Sequence, residues 1–112
     1  MRIIIDNKLY DTESAEKLLT LTEPMHFGDY EETLYRKKNG EFFLHSADSL
    51  KPDPYYANYY ASALPDNLQW YPDERLKNFL PLKKSFALEW VERNFGVDEY
   101  IKIFGEPKEK FL

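Results

Sequence analysis

With 112 residues, 43% hydrophobic and 31% charged, the chain is sized for one compact domain with enough apolar material for a core, which excludes wholesale disorder. A net charge of -5 argues against unassisted contact with nucleic-acid backbones, and the absence of cysteine excludes disulfides, thiolate chemistry and cysteine-based zinc sites. No apolar run approaches the roughly 18 residues of a membrane span, and Met1-Arg2-Ile3-Ile4-Ile5 is too short for a signal-peptide core, so a cytoplasmic protein without membrane contact is expected.

Ile3-Ile4-Ile5, closed by Asp6-Asn7, has the composition of a short strand entering a turn, with Lys8-Leu9-Tyr10 as its hairpin partner. In residues 11–16, Asp11 or Thr12 can cap a helical turn; a strand follows from about Leu18, with a helix over residues 14–21 as the competing reading. Pro24 is expected to end that strand, because proline cannot donate to a ladder. Asn39-Gly40 between residues 30–38 and 41–45 predicts a two-residue hairpin of type I′. That register sets Lys38 opposite Glu41, Arg36 opposite Phe43, Leu34 opposite His45, Lys37 opposite Phe42 and Tyr35 opposite Leu44.

Residues 46–78, with Pro52, Pro54, Pro65 and Pro72, read as an insertion on the rim. Within it, Asp53-Pro54 starts a short tyrosine-rich helix to about residue 63, and Leu68-Gln69-Trp70-Tyr71 is a candidate strand. Phe79-Leu80-Pro81-Leu82 reads as an edge strand or an extended lead-in. The helical period starts at Lys83 or Ser85, with Phe86, Trp90 and Val91 on the apolar stripe together with Leu88 and Phe95. Gly96 is expected in the left-handed position that stops this helix; Asp98 caps a second one that Gly105 ends. Strands first and helices last predict an α+β fold: a small antiparallel sheet covered by C-terminal helices, in one domain over residues 1–106 with a charged tail over 107–112.

The chemistry-bearing residues are few. The Gly 4 of the composition, at Gly28, Gly40, Gly96 and Gly105, form no phosphate loop, and His26 and His45 are the only side chains whose ordinary pKa suits a base at neutral pH. His26 sits in a loop near Asp29, whereas His45 reads as a half-buried structural residue at a strand end. Glu31 and Glu32 point to opposite faces of a strand and cannot act as a paired acid and nucleophile. No catalytic residue, metal site or cofactor is assigned, and the chain is read as a non-enzyme. Arg36-Lys37-Lys38 reads as a solvated hairpin tip. Tyr55, Tyr56, Tyr59 and Tyr60 instead form two adjacent rows, too many rings for one short helix to bury on one face. With Trp70 and Tyr71 they are the candidate partner-binding surface; the competing surface is an acidic one carrying Glu31, Asp73 and Glu74.

The segments Lys8-Leu9-Tyr10-Asp11-Thr12, Glu31-Glu32-Thr33-Leu34-Tyr35-Arg36-Lys37-Lys38-Asn39-Gly40-Glu41-Phe42-Phe43-Leu44-His45 and Trp90…Asp98-Glu99-Tyr100…Ile103-Phe104-Gly105-Glu106 resemble a family of small proteins carried by phages and conjugative elements of Firmicutes. Family members follow the hairpin histidine with a glycine-rich stretch, whereas Ser46-Ala47-Asp48-Ser49 and the tyrosine-rich insertion stand here. The resemblance implies a protein-binding module acting in the cytoplasm of a bacterial host, an inhibitor of a CRISPR effector or another defence nuclease, with a small regulatory interaction domain as the alternative.

These two surfaces predict different outcomes. Tyr56→Ala with Tyr60→Ala should weaken binding to the protein partner by on the order of 2 kcal/mol. An acidic surface predicts instead that charge reversal at Glu31, Asp73 and Glu74 abolishes binding and that affinity falls steeply with salt. Titration calorimetry of both variants at two salt concentrations, with circular dichroism as the folding check, separates them.

Overall fold

The computed structural model describes residues 1–25, 28–47, 76 and 78–107. Strands β1 (Arg2–Ile5) and β2 (Lys8–Asp11) form a two-stranded antiparallel hairpin. A four-stranded antiparallel sheet follows, in which β3 (Glu16–Met25), β4 (Gly28–Arg36), β5 (Phe42–His45) and β6 (Phe79–Leu82) lie in sequence order. Helices α1 (Lys84–Asn94) and α2 (Val97–Phe104) close the fold, so its class is α+β. None of the described helices is long and apolar enough to cross a membrane.

The sheet is covered on both faces. Phe42 meets Phe104 at 5.5 Å between ring centroids, and Arg36 Nη1 donates to the Ile103 carbonyl at 3.0 Å, which puts this side of the sheet under the helices. Leu34, paired with Leu44, shares that side through the alternation of the strands. On the other face Phe43 stacks on Tyr35 and takes the edge of Tyr10 from β2, so the β1–β2 hairpin is the second cover. Double coverage explains why Thr33, Leu34 and Tyr35, and likewise Phe42, Phe43 and Leu44, are buried in unbroken runs where an exposed face would alternate.

The two hairpin turns differ, and the second corrects the expected register. Asp6 and Asn7 both adopt positive φ, 52° and 62°, as a two-residue type I′ connection demands, and Ile5 faces Lys8 across it. At Asn39-Gly40 only the glycine does, with φ 91°. There the Gly40 N–H donates to the Lys37 carbonyl at 2.9 Å and the Lys37 N–H donates to the Glu41 carbonyl at 2.8 Å, a three-residue loop with a glycine bulge. The extra residue shifts every pair by one: Arg36 faces Phe42, Tyr35 faces Phe43, Leu34 faces Leu44 and Thr33 faces His45. The expected pairs of Leu34 with His45 and of Lys38 with Glu41 are therefore replaced, since a one-residue slip moves side chains to the opposite face.

Three further expectations change. A turn over residues 12–14 precedes β3, and β3 runs on through Pro24, which faces Asp29. Proline is tolerated there because β3 is a sheet edge and needs ladder donors on one side only. Gly96 is extended, with φ -94° and ψ -176°, and serves as the N-cap of α2; the left-handed glycine is Gly105, with φ 84° at the C-cap. Asp98 lies in the first turn of α2, where its charge suits the helix dipole, instead of at the cap. Phe79–Leu82 is a fully buried edge strand, and Trp90 is 1% exposed on α1, as its place on the apolar stripe predicts.

Gly40 tests the revised turn. A Cβ there would meet nothing within 4 Å, so the cost of substitution is the backbone conformation and not a clash. Gly40→Val should destabilise by about 1–3 kcal/mol in chemical denaturation. Asn39→Gly, which relieves no positive φ in this turn, should not stabilise, whereas a type I′ turn predicts a gain.

Candidate functional site

Two described regions concentrate polar chemistry. The first is buried. Glu32 is 4% exposed, on the helix side of β4; Trp90 Nε1 donates to its Oε1 at 2.7 Å and the Tyr30 hydroxyl donates to its Oε2 at 2.7 Å. Both oxygens thus act as acceptors that join β4 to α1, the arrangement a buried carboxyl group needs to avoid a desolvation penalty. Held between a buried indole and a buried phenol, Glu32 serves as a structural acceptor. Glu31 points to the opposite side and is exposed, facing Thr22 of β3.

The second region is the cleft between the hairpin ends, about 550 Å³ in volume, lined by Lys8, Asp11, Ser14, Lys37, Lys38 and Glu41 among others. Glu41 organises it. Lys8 Nζ donates to Glu41 Oε2 at 2.6 Å, while Asn39 Nδ2 and Lys37 Nζ donate to Oε1 at 2.9 and 3.3 Å. The Lys8 hydrogen bond, with that of Asn39, pulls the Glu41 carboxyl down to about 2. The ammonium of Lys37 also stands 3.7 Å above the Tyr10 ring, a cation–π contact that seats the β1–β2 hairpin on the sheet. Burial, with the nearby Glu41 charge, pushes the Tyr10 phenol up to about 12. Arg36-Lys37-Lys38 is accordingly not a uniformly solvated tip: Arg36 also binds Glu16 at 2.8 Å, and only Lys38 of the three is exposed.

Next to this cleft lies an apolar surface that composition did not reveal. The outer face of the β1–β2 hairpin sets Ile4, 62% exposed, directly opposite Leu9, 49% exposed, with Met1 also exposed nearby in sequence. Period-2 alternation was the available signal, because burying Ile5 and Tyr10 turns Ile4 and Leu9 outward.

His45 packs 4.7 Å from Phe79 and 6.4 Å from Tyr35 by ring centroids, and its Nε2 is buried without a hydrogen-bond partner. Burial, with the charge of the N-terminal ammonium, holds its pKa below the ordinary 6.5. It is a neutral packing residue, facing Thr33 where Leu34 was expected. Among the expected partner-binding residues, Glu31 lies on the described surface; Tyr55, Tyr56, Tyr59, Tyr60, Trp70, Tyr71, Asp73 and Glu74, like His26, lie outside the described residues. What the structure does show is where residues 46–78 leave the sheet. The Ser46 N–H donates to the Asn78 carbonyl at 3.0 Å, Asn78 Nδ2 donates to the Ser46 carbonyl at 2.8 Å, and Leu76 is buried in the core.

The Glu41 network predicts an acid limb in stability. Because the folded protein holds the Glu41 proton more weakly than an unfolded chain with a value near 4.5, the contribution is complete above about 4.5 and is lost as pH falls towards 2. Urea unfolding across that window should show a steeper decline for the parent protein than for Glu41→Gln, and the Glu41 carboxyl signal in NMR should titrate near the lower end.

Comparison with protein-family models, with curated proteins and with solved structures finds no match for this chain.

Proposed function

We propose that this chain is a non-catalytic protein-binding module of a phage or mobile element, an inhibitor of a host defence nuclease of the anti-CRISPR type acting in the bacterial cytoplasm. The resemblance carried by Glu31-Glu32-Thr33-Leu34-Tyr35-Arg36-Lys37-Lys38-Asn39-Gly40-Glu41-Phe42-Phe43-Leu44-His45 points to that biological setting. The observation that supports binding most directly is the outward Ile4–Leu9 pair. It stands on a hairpin whose inner face is anchored by Ile5 and Tyr10, so an apolar contact surface is held on a fixed support beside the charged cleft of Lys8, Lys37, Lys38 and Glu41. An apolar centre with a charged margin is the usual composition of a protein interface. The net charge of -5 favours a basic protein target over nucleic acid.

The full chain, tagged and passed through lysate of a bacterium that carries a defence nuclease, should retain that nuclease and suppress its cleavage of plasmid DNA. Ile4→Glu with Leu9→Glu should weaken the interaction by on the order of 2 kcal/mol while circular dichroism stays unchanged. Capture of a transcriptional or signalling protein without nuclease inhibition would favour the regulatory reading. A hydrolytic activity that co-purifies with the chain and is lost on mutation of its own residues would overturn the non-catalytic one.

A further inference from the structure

Helix α2 carries Val97, Tyr100, Ile101, Ile103 and Phe104, yet none of them is fully buried. Its C-terminal end is engaged by the sheet, through Phe42 on Phe104 and Arg36 on the Ile103 carbonyl. At its N-terminal end Val97 is 71% exposed. Beside Val97, where α1 gives way to α2, lies a groove of about 360 Å³ lined by Glu92, Phe95, Gly96, Val97, Tyr100 and Pro107. The lining is mainly apolar. Its one charged side chain is Glu92, which is exposed and has no ion-pair partner among the described residues.

The direction of the chain singles out one occupant. Pro107 follows the C-terminal end of α2 and yet shares the groove with Gly96 and Val97 at the other end, so the chain has reversed, at Gly105 with φ 84°. Residues 108–112, Lys-Glu-Lys-Phe-Leu, lie outside the described residues and start from that lining. Five residues reach at most about 17 Å, whereas α2 with its eight residues is about 12 Å long, so the whole groove is within their span. Phe111 and Leu112 supply the apolar side chains, and two lysines to one glutamate make the preceding residues complementary to Glu92. A tether this short holds Phe111 at an effective concentration in the millimolar range, which a separate apolar segment would have to exceed.

We infer that the groove between α1 and α2 is the docking site of this chain's own residues 108–112, with the Phe111 ring entering against Val97 and Tyr100 and Lys110 beside Glu92. The contact lies within one chain, away from Ile4 and Leu9, and does not depend on the identity of any target.

The absence of cysteine from the chain makes the test direct, because an engineered pair has no competitor. Glu92→Cys with Lys110→Cys should close an intramolecular disulfide at least about tenfold faster than Lys102→Cys with Lys110→Cys. Lys102 is exposed, nearer to Lys110 along the chain and outside the groove, so an undocked segment would reach it at least as readily. Adding Phe111→Ser should erase the preference. The chain has two valines, Val91 and Val97, so methyl NMR gives a second readout without any cysteine. Phe111→Leu, which removes only the ring, should shift the Val97 methyl signals and leave those of buried Val91 in place. Equal rates for the two cysteine pairs, or Val97 signals that ignore Phe111→Leu, overturn the inference. So do disulfides formed between chains or Val97 shifts that vary with protein concentration, either of which assigns the groove to a second copy.

Discussion

The fold turns on a carboxyl group that is out of water. Glu32 lies on the central part of β4 and accepts from Trp90 of α1 and from Tyr30 of its own strand, each at 2.7 Å. A purely apolar contact between sheet and helix tolerates sliding, because dispersion and burial are not directional. A buried acceptor does not, since a donor displaced by an ångström or two leaves its partner unsatisfied at a cost of about 1–3 kcal/mol. The rotation of α1 is thereby fixed, with Phe86, Ala87 and Val91 carried into the core along with Trp90. The placement of α2 follows, with Phe104 packed on Phe42 at 5.5 Å and the Ile103 carbonyl held by Arg36.

The opposite face is joined by a different kind of contact. Tyr10 meets Phe43 edge-on at 5.4 Å and carries the Lys37 ammonium above its ring, while Glu41 draws in Lys8 from the hairpin and Lys37 from the sheet. These ion pairs are partly exposed and contribute less individually than the Glu32 bonds. Their joint effect is orientation: Ile5 and Tyr10 are held inward, and Ile4 and Leu9 outward. The proposed partner surface thus depends on the same alternation that fills the core.

Several elements were legible from local sequence because their causes are local. The β-branched run before Asp6-Asn7, the helical stripe through Phe86 and Trp90, and the stop at Gly105 each reflect the conformational preferences of a few neighbouring residues. The hairpin at Asn39-Gly40 shows the limit. A glycine after an asparagine announces a turn, but both a type I′ turn and a type I turn with a glycine bulge accept that dipeptide. The choice depends on which side chains meet across the strands, and here Phe42 must reach the helices while Phe43 must reach Tyr10. Glu32 was equally opaque, since a glutamate beside Glu31 reads as surface until a tryptophan 58 positions away proves to be its donor.

By itself, the sequence determined that the fold is α+β, that turns fall at Asp6-Asn7 and Asn39-Gly40 and helices after Lys83 and Gly96, and that cysteine chemistry is absent. Each of these follows from residue identity or from a period of two or 3.6, and none needs knowledge of distant contacts. Only the tertiary structure decided the hairpin register, the burial of Glu32, the partnership of Lys8 with Glu41, and the outward turn of Ile4 and Leu9. Those outcomes depend on which face of each strand is covered, and here both faces of the central strands are, so the polar–apolar alternation that would mark a half-buried strand is missing from the chain.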